Sequence, residues 1–102
     1  TESADLEKAL AENDVVLVDF YADWCGPCQK LKPTIHALAD AYVGRAAVAV
    51  VNVDEVKELA RESGVRSIPD VRVFKGGKEQ ERFVGARSEA DIAAILERLL
   101  AE

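Results

Sequence analysis

A run of seven residues at positions 15–21 constrains the fold of this chain more than any other feature. Its sequence is Val-Val-Leu-Val-Asp-Phe-Tyr, so it is apolar throughout except for Asp19. A continuous apolar run of this length, without the alternation of a half-exposed strand, is typical of a β-strand buried on both faces. Because helices cover both faces of such a sheet, the run predicts an α/β fold.

Patterns on either side of this strand predict further helices and strands. Apolar residues one turn apart, such as Leu6 and Leu10, indicate helices, and the Gly76-Gly77 pair indicates a hairpin. The predicted elements are a helix ending near Asn13, strand Val15–Tyr21, a helix from Cys25 to about Tyr42, strand Ala46–Val53, a short helix from Asp54 to Gly64, strands Val71–Phe74 and Glu81–Val84, and a helix after Ser88. This order predicts a mixed central sheet of four strands with helices on both faces.

Length, charge and hydropathy narrow the classes of function. The chain has 102 residues, which suits one domain spanning residues 1–102, and 49% of them are hydrophobic. Its net charge of -6 argues against nucleic acid as a partner, because phosphate binding needs clustered cations. No run approaches the roughly 20 apolar residues of a membrane span, and no basic and apolar leader opens the chain. We therefore expect a cytoplasmic monomer that does not bind membranes.

Cys25 and Cys28 are the only cysteines, and they are too few and too close together to staple a fold of this size. Residues three apart at a helix start can approach closely enough for a disulfide. The positive end of the helix stabilises a thiolate on Cys25, which makes it the expected nucleophile. Cys28, one turn deeper, would then resolve a mixed disulfide.

Two other interpretations of the cysteine pair are open at this point. The cysteines could be small buried hydrophobes without a redox role. A zinc site is the sharper alternative, but His36 is the sole further candidate with a nitrogen or sulfur ligand, and it lies eight residues beyond Cys28. That separation is about 12 Å along a helix, too far for one coordination sphere, so no metal site is predicted and His36 is expected on the helix surface.

The residues around the cysteines resemble the thioredoxin family. The resemblance extends over nearly the whole chain and rests on Val18-Asp19-Phe20-Tyr21-Ala22-Asp23-Trp24-Cys25-Gly26-Pro27-Cys28, Pro33, Ile68-Pro69 and Val84-Gly85-Ala86. Gly26-Pro27 is similar to the reducing members, whereas oxidising and isomerising relatives usually carry histidine there. The resemblance therefore implies a protein disulfide reductase that acts on disulfide-containing proteins, is recharged by thioredoxin reductase and needs no cofactor beyond its own Cys25–Cys28 disulfide.

The resemblance also implies a substrate-binding surface around the cysteines. Trp24, Gly26 and Pro27 would lie beside the sulfurs, and a cis peptide bond at Pro69 would bring the Ile68 backbone to them. There an extended substrate segment could pair in strand fashion. Gly85 would keep the neighbouring surface flat. Without the resemblance, a trans Ile68–Pro69 bond is expected, because most X-Pro bonds are trans.

Asp19 is the one carboxylate within the apolar run. Burial disfavours its charged form, so it is expected to keep its proton to a higher pH than a solvated aspartate. By resemblance to the family it is the general base for Cys28. The alternative is an aspartate at a strand end that reaches water. Many family members carry a lysine where this chain has Val50, and without that cation the pKa of Asp19 is predicted to rise further.

Members of the family usually carry a further strand before the first helix, so the resemblance leaves a sheet of five strands as the alternative to four. Two further charges depart from the family pattern. Asp70 follows Pro69, where threonine or another uncharged residue is common, and its carboxylate points either toward the sulfurs or to solvent. Arg72 replaces an aliphatic residue within a predicted strand, so it must reach a sheet edge or find a partner.

A redox-inert binding or scaffold module that kept the fold is the rival function, and the cysteine pair, Asp19 and Pro69 together favour the reductase.

Overall fold

The computed structural model describes residues 2–102, with side chains from residue 5 onward. Its four helices and four strands follow the predicted order. They are α1 (Glu2–Glu12), β1 (Val15–Tyr21), α2 (Gly26–Ala41), β2 (Ala47–Asn52), α3 (Lys57–Glu62), β3 (Asp70–Lys75), β4 (Lys78–Val84) and α4 (Glu89–Ala101). No helix in this part of the chain is long and apolar enough to span a membrane.

The strands of the described residues form one mixed sheet in the order β2-β1-β3-β4. β1 runs parallel to β2 and antiparallel to β3, and β4 is antiparallel to β3. β1 is therefore an interior strand covered on both faces, which explains its continuous apolar sequence. The predicted mixed sheet with helices on both faces is confirmed, with four strands.

Alternate side chains of β1 enter two separate cores. Val15 and Leu17 pack with α2 and α4 on one face, whereas Val16, Val18 and Phe20 pack with α1 and α3 on the other. On α4 the buried residues Ile92, Leu96 and Leu99 recur at the helical period, and the Ser88 side chain caps that helix by accepting the Asp91 N–H. By its place in the alternation, Asp19 belongs to the α2 face.

Two predicted boundaries were wrong. The helix predicted from Asp54 to Gly64 covers only Lys57–Glu62, because oxygens of Asn52 accept the N–H groups of residues 54, 55 and 56 and hold them in a turn. β4 begins at Lys78, three residues before the predicted start. The loop is therefore just Gly76-Gly77, and both glycines have positive φ, as a two-residue hairpin turn requires. The missed part of β4 is exposed and charged, so it lacked an apolar pattern.

Candidate active site

Cys25 lies at the junction between β1 and α2. The chain leaves β1 at Tyr21, and the Cys25 N–H donates to the Ala22 carbonyl at 3.2 Å. Cys25 is the N-cap of α2, and its Sγ accepts the N–H of Cys28 at 3.2 Å. Pro27 occupies the first turn, where its missing N–H removes no helical hydrogen bond. The helix start thus directs a backbone donor at the first sulfur.

Cys25 and Cys28 form a disulfide, with their Cα atoms 5.2 Å apart. The predicted pairing is confirmed, and the interpretation as two unpaired hydrophobes is wrong. Both residues are buried, at 5% and 3% exposure. Their surroundings differ, because Cys25 Sγ lies 3.7 Å from the Ile68 carbonyl oxygen while Cys28 lines a cavity shared with Asp19.

The Ile68–Pro69 peptide bond is cis, as the resemblance implied and against the more common isomer. It faces the sulfurs through the Ile68 carbonyl oxygen, while the Pro69 carbonyl accepts the Gly85 N–H at 2.9 Å. Gly85 has φ +93°, a conformation that favours glycine. The structure therefore brings the Ile68 carbonyl beside Cys25 and joins Gly85 to the adjacent Pro69.

Trp24 is the most prominent exposed apolar side chain next to the cysteines, at 72% exposure. Its Nε1 donates to Asp54 Oδ2 at 2.8 Å, and this contact orients the indole. Asp54 was not predicted as a site residue. A signal existed, because Trp24 follows β1 and Asp54 follows β2, and the carboxyl ends of two parallel neighbouring strands meet at one edge of the sheet.

Asp19 is 5% exposed and lies within β1, so it is a buried carboxylate rather than a solvated one at a strand end. Its Oδ1 is buried and has no hydrogen-bond partner among the described residues. Burial, with a smaller contribution from the charge of Asp70, raises the pKa of Asp19 from 3.8 to about 6. The predicted direction of this shift is confirmed.

A cavity of about 100 Å³ connects Asp19 with Cys28. Several of its lining residues are exposed, so it reaches the surface; the residues that line it are Asp19, Tyr21, Cys28, Gln29, Lys32, Ile35, His36 and Val50. Val50 is the register partner of Asp19 on β2 and is 43% exposed. His36 is exposed on α2, as predicted, and also lines this cavity. Among the side chains of residues 5–102, no group of three His, Cys, Asp or Glu comes together as a metal site.

Asp70 adopts neither of the two expected orientations. Its side chain is fully buried on the α1 and α3 face, where Oδ1 accepts Arg72 Nε at 3.1 Å and Oδ2 accepts Arg72 Nη2 at 3.2 Å. Arg82 Nη2 donates to the same Oδ2 at 2.8 Å. A buried carboxylate needs such charged partners, which is the reason for its orientation.

Arg72 finds partners rather than an edge, because β3 lies between β1 and β4. Arg72 makes two further contacts besides those with Asp70. Its Nη1 lies 3.4 Å from Glu79 Oε1, and its guanidinium carbon is 5.1 Å from the centre of the Phe20 ring. The two departures from the family pattern therefore compensate each other. Arg82, which completes this ion cluster, was not singled out in the sequence.

A disulfide at a helix N-terminus, facing a cis-proline across the end of a mixed sheet, is the site of a dithiol–disulfide oxidoreductase. Comparison with known proteins defines the class more closely. The family model described as thioredoxin matches residues 1–98. The chain belongs to the thioredoxin family, and it is a thioredoxin-type disulfide oxidoreductase that reduces protein disulfides by thiol–disulfide exchange.

Relatives from several lineages agree with this assignment. The chain is 50% identical over 86 residues to a thioredoxin of Chlorobaculum thiosulfatiphilum, covering 84% of this chain and 74% of that protein. It is 39% identical over 100 residues to thioredoxin 1 of a Nostoc species, covering 98% and 94%. A mutant thioredoxin from Halobacterium salinarum superposes with a TM-score of 0.88 at 42% identity, covering 95% of this chain and 84% of that one.

Proposed function

We propose that Cys25 is the attacking thiol and Cys28 the resolving thiol of a general protein disulfide reductase. The observation that carries this order is the hydrogen bond from the Cys28 N–H to Cys25 Sγ, at the first turn of α2. In the reduced protein the same donor and the helix end favour a thiolate on Cys25. Cys28 lies inside α2 rather than at its N-cap, and it lines the cavity that it shares with Asp19.

Two exchange steps carry two electrons to the substrate. The Cys25 thiolate attacks one sulfur of a substrate disulfide, the substrate S–S bond breaks, and the released substrate sulfur takes a proton. Cys28 then gives its proton to a base and attacks Cys25 Sγ, which breaks the mixed disulfide and releases the second substrate sulfur as a thiolate that takes a proton from solvent. The Cys25–Cys28 disulfide remains, and a thioredoxin reductase returns the two electrons and the one proton that restore the Cys25 thiolate and the Cys28 thiol.

Asp19 is proposed as the base that takes the Cys28 proton in the second step. A carboxylate whose pKa is about 6 is largely ionised at neutral pH and is still basic enough to accept a proton. Its place in the same cavity as Cys28 supports this role, and the cavity offers the proton a route to the surface. Lys32 and His36 line that route.

The substrate would bind around the sulfurs. Exposed Trp24 would contact it through the indole, and the Ile68 backbone would hydrogen-bond an extended segment in strand fashion. Pro69 orients that backbone, and Gly85 supports it through the Pro69 carbonyl. Gly26 and Pro27 are exposed at the helix start, where the substrate sulfur must approach.

The remaining parts of the proposal concern the working form of the protein. Residues 1–102 would act as one thioredoxin domain and as a monomer, with no cofactor beyond the cysteine pair. Its partners would be disulfide-containing proteins and thioredoxin reductase, not nucleic acid or membranes. Its location would be the cytoplasm, where a reductase keeps such a pair reduced.

Insulin reduction by dithiothreitol tests the reductase function. The protein is expected to accelerate insulin precipitation, and a Cys25→Ser control is expected to be inactive. Cys28→Ser should instead accumulate a mixed disulfide with insulin, because the resolving thiol is missing. Parent activity equal to that of Cys25→Ser would favour the scaffold interpretation, and trapping by Cys25→Ser rather than Cys28→Ser would reverse the assigned roles.

A further inference from the structure

We propose that Arg82 is a positioning residue for protein substrates. It holds the segment 65–69, here called the substrate loop, in the position from which Ile68 meets the substrate. This inference rests on the proposed function, because it assigns a role within the same binding surface. Arg82 lies on β4 and contacts neither cysteine, so the role acts through the loop.

One nitrogen atom of Arg82 contacts the residues at both ends of the substrate loop. Arg82 Nη2 donates to the Gly64 carbonyl at 3.2 Å and to Asp70 Oδ2 at 2.8 Å. Gly64 directly precedes the substrate loop and Asp70 directly follows it. A single guanidinium therefore ties both ends of the loop to β4.

The anchor at Asp70 is rigid. The Asp70 side chain is fully buried, and both of its oxygens are held by Arg72, whose own side chain is only 7% exposed. Arg82, at 40% exposure, is the outer member of this cluster. Arg72 already compensates the charge of the buried Asp70 carboxylate. We therefore assign a different role to the contact of Arg82 with the Gly64 carbonyl, which is to fix the position of the substrate loop.

The substrate loop places a backbone carbonyl oxygen beside the reacting sulfur. The Ile68 carbonyl oxygen is 3.7 Å from Cys25 Sγ, and the neighbouring Pro69 is tied to β4 separately through Gly85. A protein substrate that pairs with the Ile68 backbone needs this carbonyl at a defined position. A small disulfide needs the cysteine but not the pairing. Displacement of the loop should therefore separate the two kinds of substrate.

The test compares two substrates in three proteins. Arg82→Gln removes the contacts with the Gly64 carbonyl and with Asp70. Arg98→Gln is the matched control, because Arg98 is a half-exposed arginine of α4 that pairs with Glu81, and Glu81 lies next to Arg82 on β4. Each variant and the parent are assayed with insulin and with 5,5′-dithiobis(2-nitrobenzoic acid), after a thermal melt confirms that they are folded. Arg82→Gln is expected to lower kcat/KM for insulin about tenfold, mainly through KM, and to change the small-disulfide rate by less than about twofold. Arg98→Gln should match the parent with both substrates.

Arg82→Lys provides a second variant if Arg82→Gln does not fold. It keeps a positive charge opposite Asp70, but its single ammonium lacks the planar fork of arginine, so the same selective loss is expected at smaller size. Equal losses with both substrates, or no loss with insulin, would overturn the role of Arg82. Failure of the proposed function is distinguishable, because the parent itself would then not reduce insulin.

Discussion

Replacing Asp19 with asparagine is expected to stabilise the oxidised protein at neutral pH, and the gain should depend on pH. Burial raises the pKa of Asp19 from 3.8 to about 6, so the folded state binds this proton more tightly than the unfolded state. The stabilising effect of that proton is complete below pH 4 and is lost as the pH rises through 6. Because one pKa unit corresponds to about 1.4 kcal/mol, the ionised carboxylate destabilises the folded protein by about 3 kcal/mol above pH 7.

Urea denaturation from pH 4 to pH 8 measures this effect. The free energy of unfolding of Asp19→Asn minus that of the parent should increase by about 2 to 3 kcal/mol over this range. The asparagine side chain also changes packing in the cavity, but that contribution does not vary with pH. Asp40→Asn, which removes an exposed carboxylate from α2, is measured alongside it as the control for the loss of one negative charge. A flat difference for Asp19→Asn would refute the assignment of a raised pKa to Asp19.

Three further outcomes are expected. Val50→Lys places a cation beside Asp19 and should lower the Asp19 pKa by about one unit in a carboxyl NMR titration, whereas Val50→Gln should not; equal values for both would contradict this. Arg72→Ala leaves the buried Asp70 with one arginine fewer and should lower the free energy of unfolding by about 3 to 5 kcal/mol, and a loss below about 1 kcal/mol would show that Arg82 alone compensates it. Ser88→Ala removes the cap of α4 and should destabilise the protein by about 1 kcal/mol in urea; an unchanged midpoint would argue against the cap.

Local patterns were sufficient for most of the fold. The apolar run of β1 and the helix after Ser88 each depend on neighbouring residues, and each lies where it was predicted. The errors occurred where a local pattern is weak. The exposed start of β4 is charged because its side chains face solvent, and the turn before α3 depends on Asn52, whose role as an acceptor has no periodic signature.

Charged residues inside the fold were the least predictable. The sequence showed that Asp70 and Arg72 were unusual, and as residues two apart on a strand they share a face. Their mutual contact follows from that spacing, but Arg82 enters the cluster only because β4 pairs with β3 in the observed register, with Arg82 opposite Arg72. The partner of Trp24 was missed for a related reason, since Asp54 is 30 residues away along the chain.

The α/β class, the cysteine pair at a helix start and the burial of Asp19 follow from the sequence, because each depends on residue type and spacing within about one element. The contacts that those groups make depend on the tertiary fold: the Ile68 carbonyl beside Cys25, the cavity shared by Asp19 and Cys28, and the arginines around Asp70. These contacts join residues from different elements, and only sheet register and helix packing place such residues within a few ångströms of each other.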